Sequence, residues 1–271
     1  MSEFINAVRS AWDGGLDGVS DAVILAMGVV CGLLTIVSIF ALGVSIFLAI
    51  SYVRYNKMQN SCGMTGEEIA RTILDRNGLG KIKVSKTGSI LFGNSYSHYF
   101  KKVRLRRLTW KKQSVTSLAM AAQKSVLAIL DKENDADMKT RVCLTPLIYF
   151  GPIAFVPMMI IGALLDLFVF MSSNGICTIL LTSIGLAFYL LSFIMSILVL
   201  KTEKKAQKRA YEIIKAEGLA TAEELEMCKK LFRLYNIEYI NNMVIALLEL
   251  IYRVLQIIAY VQNSSSSSSK Q

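Results

Sequence analysis

The stretch AVILAMGVVCGLLTIVSIFALGVSIFLAISYV, residues 22–53, contains no charged side chain. About 20 helical residues cross the ~30 Å hydrocarbon core of a bilayer, so a straight helix over this stretch must tilt or project beyond the membrane. The residues before it are acidic, and the stretch is far longer than the apolar part of a signal peptide. We therefore expect a membrane span here and not a cleaved leader.

Three more apolar stretches follow, at 142–171, 176–200 and 237–262. The whole chain is 54% hydrophobic and 18% charged, whereas soluble domains carry about 25% charged residues. Each stretch is long enough to cross a bilayer as a helix. The sequence therefore predicts an α-helical polytopic membrane protein with four transmembrane helices.

The basic residues are unevenly distributed between the predicted spans. Residues 54–141 contain 18 of the 30 lysines and arginines, and residues 201–233 contain nine. Lysine and arginine concentrate in cytoplasmic loops, so both segments are predicted to be cytoplasmic, with the N- and C-termini outside a plasma membrane. This rule accounts for the positive charge, so membrane lipid is the expected partner and nucleic acid is not.

The segments between the spans carry local signals of a small α+β cytoplasmic domain. Capping boxes at 65–68 and 221–224 predict two helix starts, and apolar residues at helical spacing predict an amphipathic helix over 112–131. Further predictions are a helix over 67–76, short strands at 81–84, 89–92 and 102–105, and a helical extension of the third span over 201–217.

These signals divide the chain into eight segments. They are an extracytoplasmic N-terminus (1–21), the first span (22–53), a cytoplasmic peptidase-like domain (54–141), the second span (142–171), the third span (176–200), a cytoplasmic helical segment (201–236), the fourth span (237–262) and a disordered serine-rich tail (263–271).

The most specific stretch is CGMTGEEIARTILDRNGL, residues 62–79. It resembles the SGMTGAEAARKIL-x-x-NGL segment of the YugP-like neutral zinc metallopeptidases embedded in bacterial membranes. Residues 101–105 resemble the KKVVRL strand of that family, and residues 246–250 resemble its ALLEL segment. The resemblance covers about residues 22–261 and implies a zincin-like helix arrangement.

The family's chemistry would require an HExxH helix and a distant third ligand. Two histidines one turn apart bind zinc, and the glutamate after the first histidine is the general base. The family's AAHEVGHAL stretch corresponds to AAQKSVLAI, residues 121–129. Gln123 and Leu127 therefore stand at the histidine positions, Lys124 stands at the position of the base, and Glu203 stands at the position of the third ligand.

These replacements predict a catalytically inactive pseudo-peptidase without a cofactor, acting as a binding or scaffold subunit for a protein partner in a membrane complex. Homo-oligomerisation is left open. A cleft between helix 112–131 and the segment after the third span is the expected place for a peptide, although Leu127 would fill part of it. The resemblance also implies that Gln123 or Leu127 approaches Glu203. One alternative is an active zinc metallopeptidase with unusual ligands.

The other alternative is a transporter or channel component that uses Asp166, Glu249 and Arg253, the three charges predicted to lie inside spans. Simple structural roles compete with that interpretation. Asp166 is expected to reach headgroups or water, and Glu249 and Arg253 are expected to form an i,i+4 ion pair. In the same way, Glu203 is expected to be an ordinary surface or interfacial helix residue, and His98, the chain's one histidine, a loop or interface residue.

Overall fold

The computed structural model describes residues 2–11, 18–87, 93–148, 150–169 and 176–268. Its elements, in chain order, are α1 (Ser2–Ala11), α2 (Asp21–Lys57), α3 (Gly66–Arg76), β1 (Lys83–Lys86), β2 (Ser95–Ser97), β3 (Lys102–Leu105), α4 (Arg107–Trp110), α5 (Val115–Lys132), α6 (Ala136–Ile148), α7 (Phe150–Leu164), a π-helix (Leu165–Val169), α8 (Ile176–Ala216) and α9 (Ala222–Ser268). The chain forms two compact units. The first comprises Met1–Ala41, Leu144–Ser196 and Asn241–Gln271, and the second comprises Leu42–Cys143 and Ile197–Ile240.

Three helices of the described chain are long and apolar enough to cross a membrane: Asp21–Lys57, Ile176–Ala216 and Ala222–Asn263. They contain the predicted first, third and fourth spans. In the predicted second span, the apolar helical segment Phe155–Val169 is shorter than the roughly 20 residues that a bilayer core requires. Pro157 lies inside α7 and supplies no backbone N–H. A membrane crossing by the second predicted span therefore stays a prediction.

The first unit brings helix backbones close together at two glycines. A Cβ atom added at Gly162 would lie 2.6 Å from the Cα atom of Thr178, and one at Gly185 would lie 3.1 Å from the Cα atom of Phe155. Small residues allow such approaches between helices in membranes, where packing replaces the hydrophobic driving force. These positions therefore fix the packing of α7 against the N-terminal part of α8.

The second unit contains a three-stranded sheet in the order β1–β3–β2. β1 and β3 are parallel, with Lys83 opposite Lys102, and β2 and β3 are antiparallel, with Ser95 opposite Arg104. The third predicted strand is confirmed at Lys102–Leu105, the first lies two residues later than predicted, and the prediction for 89–92 falls outside the described residues. The predictions missed β2 because it is short and polar.

Helix α3 begins as its capping box predicts. The Thr65 hydroxyl accepts a hydrogen bond from the Glu68 N–H, and the Glu68 carboxylate accepts one from the Thr65 N–H. Gly66 contacts the turn around α4 so closely that an added Cβ would lie 2.2 Å from the Thr109 carbonyl oxygen. A side chain at Gly66 is therefore excluded without movement of α3 or α4.

Helix α5 lies at the centre of the second unit. The structure starts it at Val115, with Ser114 as N-cap, and buries every residue from Val115 to Leu130. The predicted amphipathic helix is therefore confirmed as a helix but lacks an exposed face. Its polar residues Gln123 and Lys124 must find partners inside the protein.

Helices α8 and α9 extend beyond their apolar stretches. α8 continues to Ala216, as predicted for 201–217. α9 starts after the Thr221 cap and runs without interruption to Ser268, so it includes residues 263–268 of the tail predicted to be disordered. There the Ser265 hydroxyl donates to the Val261 carbonyl one turn earlier.

Candidate functional site

Three polar side chains, from Gln123, Lys124 and Arg141, donate to the Glu203 carboxylate of α8. Gln123 Nε2 on α5 donates to Glu203 Oε2 at 2.6 Å, and Lys124 Nζ donates to the same oxygen at 2.8 Å. Arg141 Nη2 donates to Glu203 Oε1 at 3.0 Å. The expected approach of Gln123 to Glu203 is thereby confirmed.

The cluster is buried, and its charges compensate one another. The Lys124 and Glu203 side chains are 7% and 3% exposed. Burial alone would raise the pKa of Glu203, but the charges of Lys124 and Arg141 hold it down at about 2. Burial lowers the pKa of Lys124, and the Glu203 carboxylate opposes that shift. A buried charge is tolerated only when it is paired and hydrogen-bonded, so these residues depend on one another.

Glu203 and Leu127 both lie inside the second unit. The prediction that Glu203 is a surface residue is wrong, because the ion pairs with Lys124 and Arg141 allow its carboxylate to lie inside the second unit. Leu127 is 1% exposed and belongs to the apolar core of that unit. Its side chain offers no atom that could bind a metal.

A cavity of about 350 Å³ opens beside the cluster. Residues of α2, α5 and α9 and of the segment around α4 line it: Ser45, Leu48, Ala49, Tyr52, Val53, Gly93, Asn94, Arg106, Leu108, Met120, Gln123, Lys124, Tyr235, Glu238 and Tyr239. No α8 residue belongs to this lining, so this cavity is not the cleft predicted between α5 and the segment after the third span, which stays a prediction. Leu127 does not fill this cavity.

The cavity wall carries hydrogen-bonding groups of several kinds. Asn94 Oδ1 accepts from the Arg106 backbone N–H at 2.7 Å, and the Tyr52 hydroxyl lies 2.5 Å from the Thr109 hydroxyl. Arg106 Nε is buried and has no hydrogen-bond partner in the part of the chain that the structure describes. Together with Gln123 and Lys124, these groups give an otherwise apolar cavity several polar contact points.

The chain's one histidine, His98, contacts another residue of α5, Asp131. His98, which directly follows β2, places Nδ1 2.7 Å from Asp131 Oδ2, and the Tyr96 hydroxyl donates to the same carboxylate at 2.6 Å. Burial alone would raise the pKa of Asp131, but these hydrogen bonds and the charges of His98 and Lys101 lower it. Asp131 is eight residues from Gln123, about 12 Å along the helix. His98 therefore does not belong to the Glu203 cluster.

The residues at the positions expected for the zinc ligands would not fit a zinc ion. Zinc sites use imidazole, thiolate and carboxylate ligands, whereas Gln123 supplies an amide, Leu127 a hydrocarbon and Lys124 a cation. In the described ranges, no three His, Cys, Asp or Glu side chains group closely enough to hold a metal ion. The arrangement can hold a carboxylate between two cations, and Gln123 and Lys124 also belong to the cavity lining.

Asp166 accepts hydrogen bonds from the start of α8. Its side chain is 6% exposed and accepts hydrogen bonds from the Cys177 N–H at 2.9 Å and from the Thr178 N–H and hydroxyl at 2.8 and 2.7 Å. A carboxylate at a helix N-terminus satisfies N–H groups that lack intrahelical partners. Asp166 therefore caps α8.

Glu249 and Arg253 are one turn apart on α9 but are not an ion pair in the described structure. The Tyr189 hydroxyl donates to Glu249. The Arg253 guanidinium lies 4.9 Å from the centroid of the Phe155 ring and donates to Gln256 Oε1 at 2.9 Å. The predicted pair is wrong for the described structure, because the Glu249 carboxylate and the Arg253 guanidinium contact other side chains instead of each other.

Arg141 is the cluster residue that the predictions missed. It stands just before the apolar stretch 142–171, where a basic residue is expected from membrane orientation alone. Its second hydrogen bond, from Nη1 to the Thr202 hydroxyl at 2.6 Å, joins it to the residue before Glu203. An acidic residue placed just after another predicted span was the available signal for this pairing.

Comparison with known proteins agrees with the motifs. The family model "Putative neutral zinc metallopeptidase" matches residues 30–258. The chain is similar to the "Putative membrane protease YugP" of Bacillus subtilis (strain 168), with 24% identity over 222 residues that cover 80% of this chain and 93% of the relative. No solved structure matches, so the zincin-like arrangement stays a prediction. Because the family model matches most of the length of the chain, this membrane protein belongs to the neutral zinc metallopeptidase family.

Proposed function

We propose that this chain is a catalytically inactive member of its family, a pseudo-peptidase that serves as a binding or scaffold subunit in the membrane. The observation that carries the proposal is the buried ion pair between Lys124 and Glu203. These residues stand at the positions of the family's general base and third zinc ligand. A protein cation is therefore bound to the carboxylate that would bind the metal.

The chemistry of the cluster favours inactivity. A catalytic zinc site has three protein ligands and keeps a fourth position open for water. Here Glu203 is the one conventional ligand, and both of its oxygens already accept hydrogen bonds from Gln123, Lys124 and Arg141. A zinc ion would have to displace Lys124 against charge repulsion. A protonated lysine also cannot act as the general base.

The cavity supports a binding role. Its volume of about 350 Å³ lies within the range of ligand sites, which are largely apolar with a few polar groups that orient the ligand. Gln123 and Lys124 contribute two of these groups. The proposed occupant is a peptide segment of a membrane or cytoplasmic partner, held without cleavage.

Metal content and turnover test the inactive state. Protein purified in mild detergent without chelator is expected to contain no stoichiometric zinc by elemental analysis and to cleave no peptide. One zinc per chain together with cleavage that o-phenanthroline inhibits would restore the active metallopeptidase, which family membership alone supports.

Rebuilding the ligand set gives a positive control. The triple variant Gln123→His, Lys124→Glu, Leu127→His is expected to bind zinc, because two histidines and Glu203 would supply three ligands. Gln123→His alone leaves two ligands and is not expected to bind. Cleavage need not return, because groups that orient the ligands are part of an active site. Zinc binding by the unmodified chain as strong as that of the triple variant would contradict the proposal.

Partner capture tests the cavity. Ala49 lines it, whereas the adjacent Ile50 does not and is 60% exposed. Proteins that co-purify with the chain from native membranes are expected to be lost with Ala49→Trp and retained with the matched control Ile50→Trp. Retention in both variants would place the partner elsewhere on the molecule.

A further inference from the structure

Helix α8 carries two rows of basic side chains after its apolar stretch, and acidic residues neutralise the first row. Its three members are spaced four residues apart and contact acids of the 133–137 segment. In order, Lys201 pairs with Asp137, Lys205 with Asp135 and Arg209 with Glu133. This row is therefore a structural link within the second unit.

The second row lacks such partners. Lys204 and Lys208 face a groove of about 390 Å³ that is also lined by Lys229 and Arg233 of α9, and no acidic residue lines it. Lys204, Lys208 and Arg233 form no ion pair with any acid that the structure describes. Lys229 contacts Glu226 at 3.3 Å, but both side chains are more than half exposed, so this contact contributes little. The groove therefore concentrates uncompensated positive charge.

Two amide side chains that line the groove each have one buried atom without a hydrogen-bond partner among the described residues. Gln207 Nε2 and Asn236 Oδ1 are buried and accept or donate no hydrogen bond within the described ranges. Buried polar atoms in folded proteins are nearly always satisfied by protein, water or ligand. An amide N–H donor among four cations suits a phosphate oxygen, and a neighbouring amide oxygen suits a hydroxyl group.

The position of the groove along the chain matches the headgroup layer of a bilayer. Lys204 follows Leu200, the end of the predicted third span, by four residues, and Arg233 precedes Ile237, the start of the predicted fourth span, by four residues. Four helical residues rise about 6 Å. A headgroup layer is about 5–8 Å thick on each side of the hydrocarbon core, so both cations fall at the level of lipid phosphates.

We propose that this groove binds the phosphate headgroup of an anionic phospholipid. Lys204, Lys208, Lys229 and Arg233 supply the charge, and Gln207 donates to a phosphate oxygen. A hydroxylated headgroup such as that of phosphatidylglycerol would additionally donate to Asn236. The positive-inside distribution explains basic residues on this side of a membrane, but it does not explain four that converge on one acid-free groove with unpartnered amides.

Native mass spectrometry of the full chain in neutral detergent, titrated with phosphatidylglycerol or phosphatidylcholine, tests the proposal. We expect binding of phosphatidylglycerol to exceed that of phosphatidylcholine by at least tenfold. The variant Lys204→Gln, Lys208→Gln, Arg233→Gln should lose about 10- to 100-fold in affinity for phosphatidylglycerol, because each basic residue near the surface contributes to attraction of anionic lipid.

The control removes the same net charge outside the groove, at three exposed lysines: Lys139→Gln, Lys215→Gln, Lys230→Gln. It should change the affinity by less than about threefold. Equal losses in the two triple variants, or equal binding of the two lipids, would overturn the proposal.

Inorganic phosphate identifies the source of the headgroup chemistry. Displacement of phosphatidylglycerol by millimolar phosphate would show a site for soluble phosphate and refute the lipid assignment. If the groove triple variant does not fold, as judged by circular dichroism, the single variants Lys204→Gln and Lys208→Gln replace it. Each should then weaken phosphatidylglycerol binding by about threefold to tenfold, whereas Lys215→Gln should not.

Discussion

Removing either member of the buried ion pair should destabilise the protein, and the two losses should be unequal. Lys124→Met leaves the Glu203 carboxylate with Gln123 at 2.6 Å and Arg141 at 3.0 Å. Glu203→Gln instead leaves the Lys124 ammonium buried, because Glu203 is the one acid that it contacts in the described structure. We therefore expect the glutamate variant to be the less stable of the two.

The distances set the scale of these losses. Two unit charges 2.8 Å apart attract by about 6 kcal/mol at an effective dielectric constant near 20, and desolvation of both ions offsets most of that attraction. Breaking a buried pair from one side costs about 3–5 kcal/mol, which we expect for Glu203→Gln. Lys124→Met leaves a still-paired carboxylate and should cost about 1–3 kcal/mol.

Thermal unfolding in mild detergent, followed by circular dichroism at one fixed scan rate, measures the difference. At about 2–4 °C per kcal/mol for a chain of this size, Glu203→Gln should unfold roughly 4–8 °C below Lys124→Met. The control Lys215→Met changes an exposed lysine on α8, the helix of Glu203. Its unfolding temperature should remain close to that of the unmodified protein. Equal unfolding temperatures for the two cluster variants, or a more stable Glu203→Gln, would refute the assignment of Glu203 as the shared partner.

Three further outcomes are expected. The pKa of Glu203 lies at about 2, below its ordinary value. The stability that the Glu203 carboxylate contributes is therefore complete above about pH 4.5 and is lost as the pH falls through 2. In this pH range, the unfolding temperature should change less with pH for Glu203→Gln than for the unmodified chain. Gly66→Ala should lower the free energy of unfolding by about 2 kcal/mol or more, since the new Cβ would lie 2.2 Å from the Thr109 carbonyl oxygen. In the same unfolding assay, Gly63→Ser tests backbone strain alone, because no atom lies near a Cβ at that position. Phe100→Cys in a background without the five native cysteines should resist a membrane-impermeant thiol reagent in intact cells, and labelling there would invert the predicted orientation.

Local signals predicted the elements that depend on neighbouring residues. The Thr65–Glu68 capping box lies within one turn of helix, so its hydrogen bonds follow from the sequence alone, and they are confirmed. Helical spacing likewise predicted α5. β2 was missed because Ser95–Ser97 has neither the length nor the apolar alternation that identifies a strand; β3 provides the backbone partner that makes it one.

The environment of charged residues could not be predicted in this way. The burial of Glu203 depends on Arg141, which is 62 residues away in the sequence, and Asp166 is buried because the first turn of α8 returns to it. A single sequence supplies the residue types but not these encounters. Resemblance to a family supplied one of them, the approach of Gln123 to Glu203, because two ligand positions of one metal must be neighbours.

The pairing of Lys124 with Glu203 also changes what the protein requires from its surroundings. A metal ion is exchanged with a free pool, so the occupancy of a metal site follows supply and competes with chelators. The Lys124 ammonium is attached to the chain by covalent bonds, and its local concentration at Glu203 is fixed by the fold. Under the proposed function, the charge that completes this carboxylate is present in every folded molecule, and metal starvation is expected to leave the centre of the second unit unchanged.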